Sequence, residues 1–184
     1  MKFLKKLSVL LLSLVCVVLL IALFVRDDFS VKRDIELNVP SETVYEYVRF
    51  LKNQEEFGPW QKLDPKMQHS IEGEDGEIGA ISSWNSKNED VGVGEQEIIK
   101  LEEGKRVDFE LRFKEPFEST ASAYFTTEAK TDSKTLVTWV IYGESSWPWN
   151  IMYLFMDMDK ELGPDLDKGL KNLKKILEAQ ETED

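Results

Sequence analysis

The sequence predicts an α+β fold: an antiparallel sheet of seven strands, two short helices after the first strand and a long C-terminal helix, all behind one membrane-spanning helix. Three observations predict it. An uncharged run from Leu7 to Val25 follows Lys2, Lys5 and Lys6. From Met67 to Gly143 apolar residues recur at period two, in segments divided by short polar connectors. From Ile151 to Leu177 they return to helical spacing.

The Leu7–Val25 run is nineteen residues long. At about 1.5 Å per residue it just crosses a hydrocarbon core of about 30 Å. The three lysines favour a cytoplasmic N-terminus, which sends the rest of the chain to the extracytoplasmic side, periplasmic or cell-surface. A cleaved signal peptide would need small residues before the cut, and Arg26, Asp27, Asp28 and Phe29 follow Val25 with no Ala-x-Ala pattern. Cys16 follows Val15, too bulky for a lipoprotein cleavage site, and reads as a helix residue. Residues 1–28 are therefore expected to form a cytoplasmic stub and transmembrane helix, 29–179 one domain, and 180–184 a disordered tail.

Val31 to Leu37 alternates apolar with charged residues, except at Arg33, and predicts the first strand. A helix follows: Pro40 suits its first turn, Glu42 its positive end, and Val44, Tyr47, Val48 and Leu51 share a face. Phe57-Gly58-Pro59-Trp60 predicts a short second helix or a turn. Strands are expected near 67–72, 78–86, 94–101, 105–113, 118–127 and 135–143. The clearest is the fourth of these, where Val107, Phe109, Leu111 and Phe113 alternate with Arg106, Asp108, Glu110 and Arg112. Glu103-Gly104 and Thr131-Asp132-Ser133 are hairpin connectors and make neighbouring strands antiparallel. The last helix is expected to run from Ile151 through Leu177, kinked at Gly163-Pro164.

Charge and composition exclude several functions. Without the three N-terminal lysines, 20 basic residues face 35 acidic ones, a formal charge of −15 on the chain beyond Val25. Such a surface repels nucleic acid and anionic headgroups, so no nucleic-acid partner is expected and the domain should stand off the bilayer. The one cysteine lies in the anchor, which leaves the domain without a disulfide. One histidine rules out a histidine-rich zinc site.

The order of elements, with Val39-Pro40-Ser41-Glu42-Thr43-Val44, Phe57-Gly58-Pro59-Trp60, Gly79 with Trp84, Val91-Gly92-Val93-Gly94-Glu95-Gln96, Phe113-Lys114-Glu115-Pro116-Phe117, Thr135-Leu136-Val137-Thr138-Trp139 and Gly169-Leu170-Lys171-Asn172-Leu173-Lys174, resembles the SRPBCC superfamily. The resemblance is to its START-like, polyketide cyclase/dehydrase and lipid transport branch. It implies a helix-grip fold, in which a curved sheet wraps the last helix around a cavity for a lipid, sterol or polyketide. The expected cavity residues are Trp60, Trp84, Phe109, Phe113, Tyr124, Trp139, Phe155 and Met156. The alternative is an interior filled solid by these side chains. The resemblance also leaves open an enzyme performing cyclisation or dehydration, and an acidic protein-interaction module. It implies no cofactor.

His69 lies in phase with Met67 and Ile71 and is the one weak catalytic candidate, with no partner carboxylate placed beside it. Asp157, Asp159, Glu161 and Asp165 read as a solvated face, so no metal is expected. Trp147-Pro148-Trp149 is a packed corner, a cavity mouth or a bilayer contact. Which end of the domain faces the membrane is left open.

Overall fold

The computed structural model describes residues 2–181. An apolar helix, α1 (Lys2–Ala22), leads into β1 (Asp28–Leu37), then α2 (Ser41–Val48), α3 (Leu51–Phe57) and a 3-10 turn (Trp60–Lys62). Six strands follow: β2 (Gln68–Glu72), β3 (Ile81–Asn85), β4 (Val93–Glu102), β5 (Arg106–Glu115), β6 (Ser119–Thr131) and β7 (Lys134–Glu144). A second 3-10 segment (Trp149–Leu154) precedes α4 (Met158–Gln180).

The strands form one antiparallel sheet in the order β1-β7-β6-β5-β4-β3-β2. Consecutive strands from β2 to β7 pair as hairpins, and β1 returns to β7 with Val31 opposite Ile141 and Leu37 opposite Thr135. Register shifts in β4 and near the end of β6 bend the ladder. The sheet curves around α4, as the helix-grip plan requires. Leu166, Leu170, Leu173 and Leu177 of α4 share one buried cluster with Val31, Leu37, Val107, Phe109, Phe125 and Val137 of the sheet.

Arg33 explains both the interruption in β1 and the glycine of the Gly-Pro pair in α4. Its side chain points inward with Val31 and Ile35 and reaches α4, where its guanidinium donates to Asp159 at 2.7 Å and Asp167 at 3.2 Å. Gly163 makes room, since a Cβ there would overlap the guanidinium. Pro164 leaves α4 unbroken. The helix starts later than the expected Ile151, at Met158, because Phe155–Asp157 interrupts it and Asp157 caps α4 by accepting from the Asp159 N–H at 3.2 Å. Ile151 to Leu154 therefore forms a separate 3-10 segment.

The cap of α3 is also tertiary. Phe50 has no capping side chain, and Asp75 accepts from the N–H groups of Leu51 at 2.7 Å and Lys52 at 3.1 Å. At the other end of the fold, Glu178 accepts from the Asn38 N–H at 2.8 Å, and α4 continues to Gln180. Residues 182–184 of the expected tail lie outside the described residues.

Candidate functional site

Strand register divides the interior into two halves. In one, Leu37, Val39, Val44, Val48, Ile98, Val107, Val137, Leu173 and Leu177 are packed solid, each no more than 1% exposed. In the other, where β1 begins, β7 ends and β5 turns into β6, a cavity of about 390 Å³ opens between sheet and α4. Aromatic and aliphatic side chains wall it. Phe109, Leu111 and Phe113 come from β5, Ala121, Ala123 and Phe125 from β6, and Trp139 and Ile141 from β7. Trp84 of β3, Phe57, Trp60, Met158 and Leu162 complete the sides, with Phe29, Met152 and Tyr153 at the β1 end.

The aromatic rings brace one another. Phe125 stacks on Trp139 with centroids 4.8 Å apart, and Phe57 meets both edge-on at 5.9 and 6.1 Å. Trp84 lies over Gly94, where a Cβ would come within 2.5 Å of the indole, and donates to the Val91 carbonyl at 3.3 Å. Glycine is required there by close approach.

A minority of the lining residues are polar, among them Gln54, Glu55, Gln61, His69 and Gln96. Gln96 donates to the Gln54 side-chain oxygen at 2.8 Å, and Gln54 donates to the Val48 carbonyl at 3.0 Å, so this pair is satisfied internally. The buried Gln61 Oε1, packed against Gly58, accepts no hydrogen bond from the described residues. Burial pushes the Tyr153 hydroxyl pKa up, which keeps it neutral. His69 does have a carboxylate neighbour: its Nδ1 lies 3.6 Å from Glu55 Oε1, and both residues line the cavity. Sequence spacing missed Glu55 because it comes from α3, not from the strand.

Of the expected cavity residues, Trp60, Trp84, Phe109, Phe113 and Trp139 line it. Three do not. Tyr124 lies on the outer face of β6, under the Arg106 guanidinium at 3.7 Å, and its neighbour Phe125 takes the inner position. Phe155 and Met156 fall in the break before α4, where they are 88% and 41% exposed instead of facing the sheet. Helical spacing points them inward only in a continuous helix, and the break before α4 removes that phase. Phe57, Phe125 and Phe29 were missed. The alternation of Ala121, Ala123 and Phe125 against Ser122, Tyr124 and Thr126 could have found Phe125.

Two members of the acidic run before and in α4, Asp157 and Asp159, are paired with cations. Asp157 meets Lys160 at 2.9 Å, and the hydrogen bond from Arg33 holds the Asp159 carboxyl below the usual range.

A family model described as polyketide cyclase / dehydrase and lipid transport matches residues 28–178. No curated protein matches the chain. Among solved structures, a norcoclaurine synthase point mutant from Thalictrum flavum, in complex with a transition state analogue, is similar at a TM-score of 0.63 and 10% identity, covering 85% of this chain and 98% of that one. A protein from Nitrosospira multiformis gives 0.58 at 16% identity, covering 84% and 99%. Ara h 8.0201 gives 0.55 at 14% identity, covering 85% and 99%. At these identities the likeness shows the helix-grip fold, and the family model, spanning β1 to the last turn of α4, adds descent: the chain belongs to the polyketide cyclase / dehydrase and lipid transport family of the SRPBCC superfamily.

Proposed function

We propose that this protein is a single-pass membrane protein whose helix-grip domain holds a hydrophobic small molecule or lipid between the sheet and α4. The cavity carries the reading. Its volume of about 390 Å³ lies in the range of roughly 300–1,000 Å³ usual for small-molecule sites, with a mostly apolar wall and a few polar handles. Family membership supports the same class of ligand. The anchor rests on the uncharged stretch within α1, and Lys2, Lys5 and Lys6 favour a cytoplasmic N-terminus with the domain, residues 29–179, on the other side. The test is mass spectrometry of organic extracts from full-length protein purified out of its membrane. A bound apolar compound near one per chain is expected, and it should be lost when Ala123 is replaced by Phe. Protein that carries nothing and takes up no fluorescent fatty acid or sterol would end the proposal.

A second reading, catalysis of cyclisation or dehydration, draws on one observation: His69 and Glu55 stand together at the cavity wall. Turnover of an aromatic or polyketide-like substrate, abolished in His69→Ala and in Glu55→Gln, would favour it over simple binding.

A further inference from the structure

The cavity and the apolar helix meet at one end of the domain. Register puts Asp28, the first residue of β1, opposite Glu144, the last of β7, and the Trp149–Leu154 segment follows directly. That segment clasps α1. The buried Asn150 amide donates to the carbonyls of Ala22 at 2.8 Å and Val25 at 3.0 Å, and the Trp147 indole donates to the Leu19 carbonyl at 3.2 Å. The carbonyls of Leu20, Ile21 and Ala22 are taken by the N–H groups of Leu23, Phe24 and Val25, so Trp147 serves the Leu19 carbonyl that the helix end leaves over.

The depth of that contact matters. Leu19 lies six residues before the end of the uncharged run at Val25. α1 itself ends at Ala22, three residues on, so at about 1.5 Å per helical residue Trp147 grips it about 4.5 Å inside its end, within the uncharged run. A domain standing clear of the bilayer could not make this contact. Around the clasp the same end presents bare apolar side chains: Phe155 is 88% exposed, Trp149 73% and Leu154 54%. Phe24, in the connector from α1, is 90% exposed. Tryptophan sits with its ring at headgroup level at a membrane boundary, and phenylalanine and leucine form the buried apolar face of interfacial segments.

We propose that Trp149, Leu154 and Phe155 insert into the interfacial layer of the bilayer that α1 crosses, so that the cavity opens against that leaflet and exchanges its ligand with it. This rests on the anchor reading above. It replaces the stand-off expected from the net charge of −15: the average surface repels anionic headgroups, while the clasped end docks through apolar insertion and is indifferent to their charge. Within this arrangement Met152, Tyr153 and Phe29, which line the cavity at the clasped end, form the passage from leaflet to cavity.

The experiment uses the full-length chain in zwitterionic nanodiscs, in a Cys16→Ser background, with a spin label at one of three exposed positions: Phe155→Cys, Asp132→Cys in the β6–β7 turn, or Leu12→Cys in α1. Depth is read from collision with oxygen against a water-soluble nickel chelate. The expected result is a deep label at 12, a label at 155 several-fold more accessible to oxygen than the one at 132, and no change at 155 on raising the salt. A water-exposed label at 155 with a deep label at 12 overturns the docking and leaves the anchor standing. A water-exposed label at 12 removes the anchor and this inference with it.

Discussion

Gly169 sits mid-way along α4, where propensity alone makes alanine the better residue by about 1 kcal/mol. The tertiary structure reverses that sign. A Cβ at this position would lie 2.6 Å from the Trp139 ring and 3.4 Å from Pro59 Cδ. Phe125 stacks on the ring at 4.8 Å while Phe57 and Trp60 meet it edge-on at 6.1 and 5.9 Å, so it can yield only toward the cavity it lines, giving up part of those contacts. Overpacking costs about 1–3 kcal/mol, and a contact this short against a hemmed ring belongs in the upper half of that range. Gly169→Ala should therefore destabilise by about 1–2 kcal/mol net of the helix gain, a fall in Tm of roughly 2–8 °C for a domain of this size. Thermal unfolding of the detergent-solubilised full-length chain, followed by near-UV circular dichroism, measures it. In a Trp139→Leu background the obstacle is gone, and Gly169→Ala should raise Tm, giving a coupling of about 2–3 kcal/mol between the two sites. A rise in Tm for Gly169→Ala in the unmodified chain, or equal shifts in both backgrounds, would refute the reasoning.

Thr135 is fully buried and its hydroxyl donates to the Val39 carbonyl at 2.7 Å, so Thr135→Val should cost about 1–3 kcal/mol in urea unfolding by stranding that carbonyl. Hydrogen bonds from the Asn38 backbone, with Lys174 nearby, hold the Glu178 carboxyl below the ordinary glutamate range. Its folded pKa is thus lower than its unfolded one, so its stabilisation is complete above the ordinary value and is lost as pH falls through the depressed one. Glu178→Gln should flatten the acid limb of stability against pH, and an unchanged acid limb would show that the contact with Asn38 does not persist in solution. Tyr124 and Ala123 are adjacent but face opposite sides of β6, so Tyr124→Leu should leave ligand retention intact while Ala123→Phe abolishes it, as read by extraction and mass spectrometry.

Much of the fold was legible because period two and period 3.6 leave different traces. The alternation in β5 places Phe109 and Phe113 inward without any tertiary information, and the short polar connectors dictate hairpins, hence an antiparallel meander. The site was less legible. Tyr124 and Phe125 are adjacent aromatics, and only the shared phase with Ala121 and Ala123 marks Phe125 as the inward one. Arg33 breaks the alternation of β1 in composition, yet its side chain keeps the inward phase because Asp159 and Asp167 wait on α4. Glu55 joins His69 only because α3 folds back toward β2.

The sequence by itself determined the strand and helix order, the membrane-length apolar run and the aromatic character of the inner face, since each is a local pattern of hydrophobic spacing along the chain. Tertiary structure alone decided where helices begin when their caps come from afar, as Asp75 does for α3. It also decided that packing stops short of filling the interior near β1, and that this open end is the one gripped by Trp147 and Asn150 on α1. The physical reason is range. Periodicity reports which side of an element avoids water, whereas a cavity, a close approach or a clasp depends on side chains more than a hundred residues apart meeting at a few ångströms.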